Sequence, residues 1–185
     1  MIIQGNTPHS EPSFFLIHRI QRQLWNIVYF LLFRTSPRPF HAWRAFLLRI
    51  FGATLGKGCH VYPAVKIWAP WNLHMGNFVG IGDGVNLYCM DRIEIGDYAV
   101  ISQNVHLCGG THDYNSKNFQ LIIKPIVIGN RAWVCAGAFI HPGVIVPEGA
   151  VVGACAVVNK SLSHSWAVYA GNPAVQVGNR KSYHD

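Results

Sequence analysis

The sequence predicts an all-β solenoid: a parallel coil of triangular cross-section, about five turns high, preceded by a short helical segment. Three observations predict it. From Leu55 onward an aliphatic residue returns every six positions through fifteen hexads. The breaks in that period fall between groups of three hexads. The composition suits short strands joined by turns, with 18 Gly, 10 Pro, half of the residues hydrophobic and only 12% charged. A six-residue period fits neither the 3.6-residue helix nor a two-faced strand. It fits one hexad per side of a triangle, each aliphatic residue stacking on its equivalent in the next turn. A β-sandwich would instead show period-two alternation and leaves the fifteen aliphatic positions unexplained.

The elements follow in chain order. Residues 1–13, MIIQGNTPHSEPS, carry no basic leading segment and no signal-cleavage pattern. The apolar stretch Leu24–Phe33 is too short to span a bilayer. Ser13 is placed to cap a helix from Phe14 to about Phe33, which Thr35-Ser36-Pro37-Arg38-Pro39 breaks. A second helix is expected over Phe40–Phe51, with Gly52 as its stop and Phe40, Trp43, Leu47 and Ile50 at helical spacing. Arg44 and Arg49 fall elsewhere on its circumference. The hexads then start at Leu55, Val61, Ile67, Leu73, Val79, Val85, Ile95, Ile101, Leu107, Ile128, Val134, Ile140, Val146, Val152 and Val158. They make five coils, 55–72, 73–90, 95–112, 128–145 and 146–163, interrupted at 91–94 and 113–127. The chain thus divides into a cap at 1–54, a coil at 55–163 and a tail at 164–185.

Charge is placed unevenly. Residues 1–66 hold eight Lys or Arg and one acid, and residues 67–185 hold seven of each. A basic balance confined to one end argues against nucleic acid as the partner and marks the cap as the basic surface. The five Cys, an odd number without a CxxC pair, read as free thiols of a reducing cytoplasm.

The stretch Ile95–Asp113, IGDYAVISQNVHLCGGTHD, resembles the catalytic segment of the hexapeptide-repeat O-acetyltransferases. FGATLGKGCHVYPAVKIWAPWNL, PIVIGNRAW, HPGVIVPEGAVVGA and YAGNPA resemble, within that group, the colanic acid biosynthesis acetyltransferases, over about Trp25 to Arg180. The resemblance implies a left-handed parallel β-helix and transfer of acetyl from acetyl-CoA to a hydroxyl of a sugar or lipid-linked saccharide in exopolysaccharide biosynthesis. It implies a homotrimer with sites at subunit boundaries, and no metal. Such transfer needs a base near the hydroxyl, and an imidazole suits it because its pKa lies near working pH. By resemblance that base is His112. Asp113, counted with it as catalytic, is one candidate to orient the ring; Asp91, Glu94 or a backbone carbonyl are others. No acyl-enzyme is required, and Cys108 reads as a small structural residue.

The resemblance places Trp133, Ala136, Gly137, Ala154, Asn159 and Lys160 along the coenzyme A arm, with Arg180 and Lys181 as further phosphate contacts. Cys135 stands where relatives carry a smaller residue. Asn86, Tyr88, Asp91 and Tyr114 are the expected acceptor contacts, and Cys89 stands where sugar acetyltransferases carry an Asn. In the 113–127 loop, Asn115, Ser116, Lys117 and Asn118 suit a polar acceptor, while Phe119, Leu121, Ile122 and Ile123 suit a neighbouring surface.

Two rival readings remain. A γ-class carbonic anhydrase needs three zinc-bound His; this chain offers His60, His74, His106, His112 and His141 without the ligand spacing. A non-catalytic scaffold predicts no coenzyme A binding. The cap, too, has two readings. Arg19, Arg22, Arg34, Arg38, Arg44 and Arg49, with Trp25, Tyr29 and Trp43, meet anionic lipid at the inner face of the cytoplasmic membrane, or the apolar face of 14–51 closes the open end of the solenoid.

Overall fold

Short strands of two or three residues, each opening toward the interior at alternate positions, leave two inward residues per side. In the computed structural model, which describes residues 13–182, these strands form three parallel sheets, one per face of a triangular prism. The first face stacks Thr54–Leu55, Leu73–Met75, Ile93–Ile95, Ile126–Ile128 and Ile145–Val146. The second stacks His60–Val61, Gly80–Ile81, Val100–Ile101, Trp133–Val134 and Val151–Val152. The third stacks Lys66–Ile67, Asn86–Tyr88, His106–Cys108, Phe139–Ile140 and Val157–Val158. A sixth rung, Ala167–Gly171, extends the second face and pairs antiparallel with Ala174–Asn179. The reading of residues 1–12 as free of a leader lies outside the described residues.

The core is three columns of aliphatic side chains. Val61, Ile81, Ile101, Val134 and Val152 form one, all fully buried. Two residues before each lies a second inward position, filled by Cys59, Val79, Ala99, Ala132 and Ala150. This corrects the second coil. Its stacked residues are Met75, Ile81 and Leu87, while Leu73, Val79 and Val85 fill the inward position two residues earlier. Both positions are aliphatic in that coil, so the hexad pattern admits two phases there.

The same shift relocates an interruption. Ile93, expected in the 91–94 break, lies in the first face between Leu73 and Ile126. The extra residues instead enter as two pairs, between Ile67 and Met75 and between Leu87 and Ile95. Pro70–Asn72 forms a 3-10 turn in the first of these, and Asn72 Nδ2 donates to the Cys89 and Met90 carbonyls, each 3.0 Å away, tying one insertion to the next. The long excursion after Cys108 leaves the same edge. All three insertions therefore lie where the third face turns into the first.

The N-terminal segment closes the bottom of the coil. Helix α1 runs Leu16–Val28 and continues as a π-helical turn, Tyr29–Phe33; helix α2 runs His41–Ile50. The N-cap of α1 is Phe15, without a side-chain cap bond, so Ser13 stands outside the helix it was expected to cap. Trp25, Tyr29 and Phe33 are buried against the first coil, and Trp25 Nε1 donates to the Ile67 carbonyl at 2.7 Å. Gly52, at φ +87°, ends α2 as expected: its N–H bonds the Arg49 carbonyl and that of Ala53 bonds Leu48.

The structure also corrects the lipid-facing set. Arg44 is 0% exposed. Its guanidinium donates to the carbonyls of Val61, Pro37 and Arg38 and to Ser36 Oγ, pinning the 34–40 turn to the second face. Trp25 and Tyr29 are likewise interior. The outward apolar residues are Leu16, Ile17, Ile20, Leu24, Ile27, Phe30, Leu31 and Leu32 on α1 and its extension, with Trp43, Phe46 and Ile50 on α2. Among the described residues no helix is long and apolar enough to cross a membrane.

Candidate active site

His112 does not end the third coil on a face. Past Cys108 the chain leaves the prism edge as a hairpin, Gly110–His112 against Leu121–Ile123. Met90, Leu121 and Ile123 make a small separate apolar cluster at its base, against Trp68 and Tyr88. His112 sits on the exposed part of the hairpin with its ring stacked on Phe119, centroids 4.4 Å apart and planes 8° from parallel. Its Nδ1 lies 2.9 Å from the Phe119 carbonyl oxygen. A carbonyl only accepts, so Nδ1 carries the proton and Nε2 presents a lone pair. Of the orienting partners left open by the sequence, the structure selects a backbone carbonyl. The Asp113 carboxylate turns away, accepting from the Asn115 N–H at 3.1 Å, and its own N–H bonds the Gln120 carbonyl. Asp91 accepts from the Arg92 N–H at 2.7 Å.

The expected acceptor residues separate into two groups. Asn86 and Tyr88 stand side by side on the third face, in register with His106 and Cys108 of the next coil. Asn86 Nδ2 approaches His106 Nε2 at 3.4 Å. Tyr88 backs the hairpin: a Cβ built on Gly110 would lie 3.6 Å from its ring, in van der Waals contact, and 2.4 Å from Met90 Sδ, so a larger residue there would have to displace the Met90 side chain. Tyr114, at the hairpin tip, is 81% exposed. Cys89 points into the coil, where its thiol donates to the Ala69 carbonyl at 3.1 Å and burial pushes its pKa up to about 11. It therefore offers an acceptor nothing, and Asn86 and Tyr88 are the outward polar groups of that strand. Cys108 donates to the Gly110 carbonyl, and burial raises its pKa, which disfavours the thiolate a nucleophile needs.

The residues expected along the coenzyme A arm lie on exposed edges of the last coils. Ala136, Gly137 and Ala154 stack at the edge between the second and third faces, where the Cys155 N–H bonds the Ala136 carbonyl. Trp133 lies beside them on the second face, its Nε1 donating to Ser102 Oγ at 2.9 Å, a partner the sequence did not suggest. Trp133, Tyr98 and Arg131 line a cavity of about 450 Å³ together with Arg180. Arg180 Nη1 donates to the Arg131 and Gly149 carbonyls, which ties the tail back to the coil. Asn159 and Lys160 lie past the third face, on the edge that carries the hairpin further down. Among the described residues no three His, Cys, Asp or Glu side chains converge as a metal site.

Sequence reasoning allowed a backbone carbonyl but could not name that of Phe119, and it missed the inward turn of Arg22, whose guanidinium lies 4.0 Å over the Trp68 ring. Neither has a sequence signal: the first is a backbone group, and the second follows from the packing of α1 on the third face.

The chain is 46% identical over 161 residues to WcaF of Escherichia coli (strain K12), a protein named for acetyl transfer in colanic acid biosynthesis; the match covers 87% of this chain and 88% of that one. It is 33% identical over 136 residues to the galactoside O-acetyltransferase of the same organism, covering 70% and 65%. In structure it resembles a hexapeptide-repeat acetyltransferase of Vibrio cholerae O1 biovar eltor, solved with acetyl coenzyme A, at a TM-score of 0.83 and 23% identity over 92% and 93% of the two chains. The shared fold is the left-handed parallel β-helix. No protein-family model matches the chain.

Proposed function

Since the chain belongs to the hexapeptide-repeat acetyltransferases, among the colanic acid biosynthesis acetyltransferases, we propose that it moves the acetyl group of acetyl-CoA to a saccharide hydroxyl with His112 as general base. The observation that carries this reading is the His112 tautomer. With Nδ1–H held by the Phe119 carbonyl, Nε2 takes the hydroxyl proton as the oxygen attacks the thioester carbon. The tetrahedral intermediate collapses, the C–S bond breaks, and Nε2–H returns the proton to the coenzyme A thiolate. The carbonyl dipole favours the transient imidazolium, the task a carboxylate performs in Ser-His-Asp triads. Asp113 holds the turn that presents His112 and does not contact the ring.

Residues 55–163 form the catalytic coil in this reading, 1–54 its cap and 164–185 a tail completing the second face. The donor arm lies against Trp133, Ala136, Gly137, Ala154, Asn159 and Lys160, whose small members admit an extended chain close to the backbone. What supports a homotrimer is placement. The hairpin and the Ala136–Ala154 edge lie on opposite sides of the third face, so a second copy that sets its own edge beside the hairpin completes one site. The outward aliphatic stripe of α1 supports contact of the cap with an anionic membrane surface. Seven aliphatic side chains of α1 and its extension are exposed, flanked by exposed Arg19, Arg34, Arg38 and Arg49.

The test is release of free thiol from acetyl-CoA with a panel of sugar nucleotides and polyprenyl-linked saccharides. Acceptor-dependent release that falls about 10²–10⁴-fold in His112→Ala, with coenzyme A affinity unchanged, is the expected result. No release with any acceptor and no coenzyme A binding would contradict it and favour the scaffold.

A further inference from the structure

Between α1 and the third face lies a groove of about 530 Å³, within the size range of small-ligand sites. Its lining brings together Arg22, Arg34 and Lys66 with Trp68, Asn86 and Tyr88, and no Asp or Glu belongs to it. Among the described residues none of these three cations takes part in an ion pair. Arg22 Nε is enclosed without a hydrogen-bond partner, and burial lowers the pKa of its guanidinium. An enclosed donor without a partner is costly and is completed by water or by a ligand; Arg34 and Lys66 stand exposed on the rim beside it, as charges an anion entering the groove would meet. A neutral sugar supplies no such counter-charge.

We propose that this groove holds the diphosphate of the acceptor, so that the hydroxyl to be acetylated belongs to a saccharide carried on a diphosphate. The proposal rests on the acetyltransferase reading and names its acceptor class. The arrangement gives each part a task. Arg22 and Arg34 supply planar donor forks and Lys66 a point charge to the phosphate oxygens. Asn86 and Tyr88, at the inner end, meet the sugar. Tyr88 backs Gly110, two residues and about 7 Å of strand from His112, which places the reacting end of such an acceptor at the base. Phe30 lines the outer end and is exposed beside the aliphatic stripe of α1, where a lipid carrier would leave the groove.

Calorimetry on the full chain tests this with inorganic pyrophosphate, at saturating coenzyme A because coenzyme A carries a diphosphate of its own. Wild-type protein is expected to bind pyrophosphate. Arg34→Glu and Lys66→Glu, on the rim, are each expected to weaken it ten-fold or more and Arg34→Lys less, with acetyl-CoA affinity unchanged in all three. Absence of pyrophosphate binding, or binding indifferent to both charge reversals, overturns the proposal while leaving acetyl transfer standing. If acetyl-CoA fails to bind but pyrophosphate binds in the charge-dependent way, the groove stands and the transferase reading falls. Uridine diphosphate and farnesyl diphosphate in nonionic micelles then identify the carrier: the tighter binder marks a nucleotide or a lipid, and either order upholds the diphosphate.

Discussion

The coil and its cap are comparably apolar in sequence, yet they use their apolar residues in opposite ways. In the coil nearly every aliphatic residue of the repeat points inward, and the charged residues stay at the surface. In the cap, α1 turns an aromatic face inward and an aliphatic face outward, while a charged residue, Arg44, is fully buried. A repeat fixes orientation because every turn repeats the same side. The cap has no neighbour of its own kind, so its orientation is set by which side chains fit the open end: the Trp25 indole, with a carbonyl to bond, and Arg44, with four acceptors.

Substitutions at matched residues sharpen that contrast. Arg44→Ala is expected to cost the most, about 3–5 kcal/mol, because it empties a fully buried site and removes the side chain that ties Val61, Ser36, Pro37 and Arg38 together; a loss under 1 kcal/mol by urea unfolding would mean that Arg44 is incidental. Ile101→Ala, in the middle of a column, should cost about 2–5 kcal/mol. Its counterpart on the cap, Ile27→Ala, should stay within about 0.5 kcal/mol, since Ile27 faces outward. Equal losses at the two sites would erase the distinction between the regions.

The outward face has its own test. Ile20→Asp with Leu24→Asp should lower co-sedimentation with phosphatidylglycerol vesicles by ten-fold or more without changing the melting temperature. Retained co-sedimentation would remove the membrane contact.

The smallest effect is in pH. Burial lowers the pKa of His18 and His41 in the cap and of His74 and His106 on the coil. Each takes up its proton at a lower pH in the folded state than in the unfolded chain, which binds it near pH 6.5. Their stabilisation is full above about pH 6.5 and declines as pH falls below it. The urea midpoint should drop between pH 7.5 and 5.5, and His41→Phe and His106→Phe should each flatten that drop; a midpoint that rises on acidification would contradict the assignment.

The same contrast explains what was legible. The columns at Val61 and Ile67 were readable because one residue type returns at one spacing. The second coil was misphased because Leu73 and Met75, Val79 and Ile81, Val85 and Leu87 are all apolar. His112 was legible through the resemblance of its motif, but its partner was not, because a carbonyl leaves no mark in a sequence. Asn86 and Tyr88 were legible as residues, and their separation from inward Cys89 required the register. The cationic groove was not legible at all: Arg22, Arg34 and Lys66 are far apart along the chain and meet only when α1 lies on the third face.

In the proposed assembly the hairpin of one copy works against the Ala136–Ala154 edge of another. Co-expression of His112→Ala with Ala154→Trp, each inactive alone, tests it most directly. With equal amounts and random assembly, about a quarter of the sites join an intact hairpin to an intact neighbouring edge. Recovery of about that fraction of wild-type thiol release is the expected result. No recovery from mixed assemblies, confirmed as mixed by mass, would place the whole site within one chain and contradict the account.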